Sequence, residues 1–184
     1  VLNRFLTRLA REIGEIGINT RQLYIMQSNG GVRTLRASST IAVPLLLSGP
    51  AAGLIAANRL AAAAGYKNVI SLDMGGTSCD IGLIEAGVPL QTNKGAIDKY
   101  DLAIPMLDIN TIGAGGGSIA SVDKQGILRV GPTSAGAAPG PVCYNTGGDE
   151  PTVTDANLVL GFLNPDYFLG GKMKLYEEMA ERAI

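Results

Sequence analysis

The stretch SLDMGGTSCDIGLI, residues 71–84, holds the residue types best suited to chemistry. Asp73 ends an apolar run, Gly75 and Gly76 follow, Thr77 and Ser78 add hydroxyls, and Asp80 closes the group before the chain turns apolar again. Glycine carries no Cβ and tolerates positive φ, so a backbone of this kind can approach a ligand closely. Successive amides in such a turn form a concavity that takes anions. The two hydroxyls are donors for phosphate oxygens, and Asp73 and Asp80 are acceptors suited to the water shell of a magnesium ion. Phosphate with Mg²⁺ is the ligand these groups fit. Spacing alone also admits a plainer reading, a hairpin whose aspartates only cap turns. The segment is not a Walker phosphate loop, because no lysine follows the glycines. Nor is it a dinucleotide fingerprint, because a second strand opens where a Rossmann turn opens a helix.

A second cluster, Gly113, Gly115, Gly116 and Gly117 with Ser118, admits two readings: another phosphate-facing turn, or a place where a neighbouring element packs closely. The first is the favoured expectation. Asp108 lies just ahead of it and is placed to reach the same cleft. Strand alternation puts Cys79 on the face opposite its neighbours, which gives it a packing role. Nothing in the chain would activate it as a nucleophile. Histidine and tryptophan are absent, which removes Ser-His-Asp and Cys-His systems and every His-ligated metal site from this chain. Cys79 and Cys143 lie far apart and form no C-x-x-C pair, so neither a zinc ribbon nor a disulfide framework is signalled, and a reducing, cytoplasmic setting fits.

These residues need elements to position them. Apolar Leu2, Phe5, Leu6, Leu9, Ile13 and Ile16 follow helical spacing. QLYIMQ, residues 22–27, reads as a short buried strand and SNGG, residues 28–31, as a turn. The alanine-rich run after Ser48, a candidate cap, predicts a helix over 50–64 stopped by Gly65. NVISLD is a buried strand ending at Asp73, and DIGLIEAGVPLQT is a strand, a turn at Glu85 to Gly87 and a returning strand. Two short strands flank DKQG, residues 123–126, and residues 131–151 form a long Gly/Pro-rich loop. Thr154 or Asp155 then caps a short helix ending near Pro165, and KLYEEMAERAI has a helical pattern. The pattern is that of an α/β chain with one compact core. The net charge of −1 gives no basic footprint for nucleic acid, and the apolar runs are broken by Pro44, Pro50 and glycines well short of the roughly 20 residues of a membrane span.

The run SGPAAGLIAANRLAAAAGYKNVISLDMGGTSCDIGLIEAG resembles the connecting-helix and second-phosphate segments of the actin, sugar-kinase and heat-shock ATPase superfamily. Together with SNGGV, LDINTIGAGGGSIA, GPTSAGAAPGPVCY and PTVTDANLVLGFLNPDYFLGG, it is similar to the A subunit of the hydantoinase, 5-oxoprolinase and acetone carboxylase family, from about Leu23 to Leu175. The resemblance implies an incomplete ribonuclease H-like, actin-like ATPase domain with a mixed sheet and flanking helices, residues 1–184 being a single hydantoinase A-type domain fragment, its second-phosphate half. It implies ATP and Mg²⁺ as cofactors, a hydantoinase B-type subunit or domain as partner, and a small cyclic amide as substrate, with neither nucleic acid nor membrane. The reaction it implies is ATP-dependent hydrolysis of a cyclic C–N bond in the parent enzyme, with an acetone-type carboxylase subunit or a non-catalytic assembly domain as alternatives.

Carried over by position, Asp73 matches the aspartate that holds water around the metal. Gly75, Gly76 and Thr77 match the turn facing the β- and γ-phosphates, Ser78 takes a hydroxyl position and Asp80 closes the motif. Cys79 stands where the family usually has Thr or Ser, Asn110 where many relatives carry histidine, and Ala138 where an acidic residue is common. The start of the alanine-rich helix, Ser48 and Gly49, would lie near the nucleotide cleft. Cys143 and Tyr144 are expected to pack, and Asp155 to serve the helix start. Both chain ends read as internal to a longer protein, the first phosphate loop is expected ahead of Val1, and the 184 residues alone are expected neither to bind ATP tightly nor to turn it over.

Overall fold

The computed structural model describes residues 2–20, 22–97 and 100–184. Packing divides the chain into two compact units, Val1–Ser71 with Ile81–Asn110, and Leu72–Asp80 with Thr111–Ile184. Where the sequence suggested one core, the buried apolar residues form a cluster in each unit.

In the first unit, helical spacing gives α1 (Leu2–Glu15), which buries Leu6 and lines its outer face with the i,i+4 pairs Arg8–Glu12 and Arg11–Glu15. β1 (Tyr24–Met26) and β2 (Val32–Thr34) pair antiparallel across the predicted SNGG turn. The strand is shorter than predicted and half-buried, with Tyr24 on the surface. Thr34 caps the single turn α2 (Leu35–Ser38), its hydroxyl accepting from the Ala37 amide. The alanine-rich helix α3 spans Ser48–Ala63. It starts two residues before the predicted position, and Ser48 does not cap it: Leu47, left-handed at φ 57°, holds that place without a side-chain bond. Pro50 therefore falls in the first turn, where its missing N–H had no helical acceptor to reach. At the other end Gly65, at φ 84°, closes a Schellman motif through Tyr66 N–H to Ala61 O and Gly65 N–H to Ala62 O.

Strands β3 (Val69–Met74) and β4 (Cys79–Glu85) follow, then β5 (Val88–Pro89), which pairs with β4 across the predicted turn. Beyond it β6 (Gln91–Thr92) leaves that hairpin and pairs instead with β9 (Met106–Leu107), while β7 (Gly95–Ile97) pairs with β8 (Tyr100–Leu102). β10 (Ile109–Ile112), where the sequence predicts only a glycine loop, completes a sheet of order β10-β4-β3 with β5 on β4. Ala51 and Leu54 of α3 pack on Ile84 and Leu107. Gly82 permits this approach, since a Cβ there would stand 2.7 Å from Leu54 Cδ1.

In the second unit, β11 (Ser118–Val122) and β12 (Leu128–Ser134) form the predicted hairpin. Its turn is tied by Asp123, whose carboxylate accepts from the Gln125 and Ile127 amides and pairs with Arg129. β12 runs into the predicted loop 131–151, and Gly140 to Cys143 within that loop are buried, so it is only partly a surface loop. α4 (Val153–Val159) is capped by Thr152, ahead of both predicted caps, Thr154 and Asp155. It ends well before Pro165 because Gly161, at φ 75°, closes a second Schellman motif with Phe162 N–H on Asn157 O. α5 (Glu177–Ala183) forms as its pattern predicts. The core joins Cys143, Leu158, Leu175 and Ala180, with the Tyr144 and Phe168 rings 5.6 Å apart.

Candidate functional site

Gly75 to Ser78 connect the ends of β3 and β4, and the Gly75 N–H donates to Ser78 O at 2.9 Å to close the turn. Gly75, Gly76 and Thr77 are exposed, Ser78 is half-buried, and Cys79 is 1% exposed on the opposite side, as strand alternation requires. Among the described residues, the amides of Gly76, Thr77 and Ser78, the hydroxyls of Thr77 and Ser78 and the carboxylate of Asp73 have no protein partner. The second aspartate differs: Asp80 Oδ1 accepts from the Thr111 hydroxyl at 2.5 Å. The turn thus presents a row of donors with one free carboxylate at its start.

The second glycine cluster lies directly behind this turn. Gly116 N–H donates to Gly75 O at 2.8 Å and Gly117 N–H to Gly76 O at 2.6 Å. Gly115 N–H donates to Ser118 Oγ at 2.8 Å and Ser118 N–H to Gly115 O at 2.9 Å. With these amides engaged by the protein itself, the hydrogen bonds describe the close-packing reading of the cluster. Glycine is required here because a Cβ on Gly115 would stand 2.6 Å from Gly75 O and Thr77 N, and one on Gly117 2.9 Å from Gly76 O. The contact also aims the turn. In a trans peptide the carbonyl and the next N–H point in opposite directions. Holding the Gly75 and Gly76 carbonyls on the Gly116 and Gly117 amides therefore fixes the N–H groups of Gly76 and Thr77 in the direction opposite those bonds.

Behind the loop stands the start of α4. Thr154, 7% exposed, donates to Gly116 O twice, from Oγ1 at 2.7 Å and from its amide at 2.8 Å. Asp155, 0% exposed, completes a capping box with Thr152. Its Oδ2 also accepts from the Val142 amide at 3.3 Å and its Oδ1 from the Cys143 amide at 2.7 Å. This is the helix-start role the sequence suggested, extended to hold residues 142–143. Thr154 was read only as an alternative cap; the T-x-x-D spacing of Thr152 and Asp155 marks the true cap and frees Thr154 for the glycine loop. Burial, and next the Asp155 carboxylate, push the Cys143 thiol up to about 12, and burial raises the Tyr144 phenol, so both are packing groups. Ala138 is exposed in its loop. Ser48, Gly49 and the exposed Asp108 and Asn110 belong to the first unit.

The groups at the turn fit a nucleotide phosphate: unpaired amides and hydroxyls for the oxygens, and Asp73 beside them. No cluster of three or more acidic, Cys or His side chains that could hold a metal exists among the described residues. A magnesium ion here would therefore be held by phosphate oxygens and through water to Asp73, the manner in which Mg²⁺ commonly binds.

A strand–glycine turn–strand in an α/β setting belongs to the actin-like ATPase type of fold, and solved structures match the fold. Nucleotide-free acetone carboxylase matches with a TM-score of 0.80 at 33% identity, covering 98% of this chain and 25% of that one. In sequence the chain is 45% identical over 184 residues to caprolactamase subunit alpha of Pseudomonas jessenii, covering 100% of this chain and 26% of the relative. It is 51% identical over 138 residues to the acetophenone carboxylase gamma subunit of Aromatoleum aromaticum, 74% of this chain and 19% of the relative. The hydantoinase/oxoprolinase family model matches residues 1–184, and the chain belongs to that family. It spans between 19% and 26% of the length of the relatives described.

Proposed function

We propose that this chain is the second-phosphate portion of an ATP-dependent enzyme subunit that opens cyclic amides, working with a hydantoinase B-type subunit in the cytoplasm. The observation that supports the proposal is the exposed stretch Gly75–Thr77, where the amides of Gly76, Thr77 and Ser78 have no protein partner among the described residues and the loop behind holds the Gly75 and Gly76 carbonyls. Identity of 45% along the whole chain to a caprolactamase subunit supports the cyclic-amide class. The two free, buried thiols fit a reducing compartment.

ATP, when bound, would supply the phosphoryl group that makes the ring carbonyl carbon a better electrophile for water, the ring nitrogen leaving as it takes up a proton. The chain's own contribution is positional and electrostatic, as is usual for phosphoryl transfer. Gly76 and Thr77 amides donate to phosphate oxygens, with the Ser78 amide beside them. The Thr77 and Ser78 hydroxyls add two further donors. Asp73 would accept from water on a phosphate-bound metal ion, and Asp80, held by Thr111, fixes the start of β4.

The test is ATP hydrolysis by the full-length protein in its complex, with Asp73→Ala and Thr77→Val. Loss of a preorganised charge-stabilising group lowers turnover by about 10²-fold or more, and that is the result expected for Asp73→Ala. Unchanged ATP hydrolysis in both variants would leave only a structural or assembly role. The 51% identity to a carboxylase gamma subunit supports a second reading, ATP-dependent carboxylation. Bicarbonate-dependent, lactam-independent ATP hydrolysis by the complex would select it.

A further inference from the structure

We propose that the Thr154 side chain is a positioning residue for the phosphate-binding turn, an inference that rests on the functional reading of that turn. Thr154 does not reach the turn itself. It acts through Gly116, whose carbonyl accepts both the Thr154 hydroxyl at 2.7 Å and the Thr154 amide at 2.8 Å. A carbonyl oxygen has two lone pairs, so these donors fill its capacity and fix the peptide on both sides. The next link is the Gly116 N–H on Gly75 O, and beside it the Gly117 N–H on Gly76 O. Those two carbonyls set which way the Gly76 and Thr77 amides point.

The anchor at the other end is firm. Thr154 lies between Thr152 and Asp155, whose reciprocal cap fixes the first turn of α4. Ala135 N–H on Gly117 O ties β12 to the same loop. Among the described residues, the other hydrogen bonds of Gly115, Gly116 and Gly117 are to backbone groups or to the Ser118 hydroxyl, so the Thr154 hydroxyl is the side-chain hydrogen bond that couples the helix to these glycines. Glycines have no side chains to hold them and fix their conformation only through such bonds. Removing the hydroxyl leaves one donor on Gly116 O and loosens the loop without touching any atom of the proposed ligand.

The experiment compares Thr154→Val, which keeps the shape and removes the donor, with Thr154→Ser, which keeps the donor. Both are made in the full-length protein in its complex and normalised to folded enzyme by thermal unfolding. The readout is the division of the effect between KM for ATP and kcat, with Asp73→Ala and Thr77→Val measured alongside. The expected result is a rise of about tenfold in KM for ATP in Thr154→Val, with Thr154→Ser within about twofold of the parent. Unchanged KM and kcat per folded enzyme in Thr154→Val, with only a lower unfolding temperature, would overturn the positioning role while Asp73→Ala still abolishes turnover. If the Asp73 and Thr77 variants also keep full activity, the phosphate reading of the turn fails, and the role of Thr154 fails with it.

Discussion

Asp155 offers the most sharply bounded test of how the site is supported. Its carboxylate accepts from three amides, those of Val142, Cys143 and Thr152, and from the Thr152 hydroxyl, all in a buried setting. Asp155→Ala strands all of these donors and removes the carboxylate half of the capping box, while Thr152 keeps its own bond from the residue-155 amide. A buried donor left without a partner is destabilising by about 1–3 kcal/mol. The 3.3 Å contact from Val142 is long and counts least. The bonds from the Cys143 amide at 2.7 Å and from the Thr152 amide and hydroxyl at 2.8 Å set the expected loss near 4 kcal/mol. Asp155→Asn keeps one oxygen. Placed at Oδ2 it still serves Thr152, but the new NH₂ then faces the Cys143 N–H, and an expected loss of about 2 kcal/mol follows. Hydrogen exchange at the Val142, Cys143 and Thr152 amides reads this local stability directly. The faster exchange should be about 30-fold for Asn and about 10³-fold for Ala, at 1.4 kcal/mol per factor of ten. Exchange in Asp155→Ala within about threefold of the parent would refute the claim that this carboxylate holds residues 142–143 to the helix.

Two further outcomes follow from the same geometry. Gly115→Ala puts a methyl 2.6 Å from Gly75 O, which forces loop and turn apart; ATP-dependent turnover of the full-length complex should fall about tenfold or more, and normal kinetics would show that the close contact is dispensable. Cys143 should resist alkylation at pH 8 until the protein unfolds. Its thiol ionises near 9.0 when exposed and near 12 when folded, so the unfolded state loses its proton first and stability falls with rising pH across that window. The Cys143 contribution to the slope should be about 1.4 kcal/mol per pH unit and should be missing from Cys143→Ala when the two denaturation curves are compared, while the slope from the raised Tyr144 phenol remains.

The turn was legible because its signal is local: the glycines, hydroxyls and aspartates lie within one stretch, and their types state what a backbone can do there. Helix ends were legible where a glycine is the stop, as at Gly65, and missed where a nearer glycine, Gly161, acts before the proline that drew attention. The glycine cluster at 113–117 could be read as important but not assigned, because a glycine announces close approach without saying what approaches. The partner turned out to be carbonyls some forty residues earlier in the chain, a pairing with no periodicity to reveal it. The reach of Asp155 to residues 142–143 escaped for the same reason, since a side chain bonded to a distant backbone leaves no repeat in sequence.

The donors that face the proposed phosphate are amides and hydroxyls, and these keep their protons throughout the range in which enzymes work. The chain contains no histidine to add a titrating contact. The donor side of this site therefore has no means of tuning affinity by charge, and its strength depends on orientation. An amide that points a few tens of degrees away loses most of its bond. That dependence accounts for the hold on the Gly75 and Gly76 carbonyls by the Gly116 and Gly117 amides, and for glycines behind them that admit no side chain. Mutations that disturb the site most without touching it should accordingly lie along the line from Asp155 through Thr154 and Gly116 to the turn, rather than among the exposed charges around it.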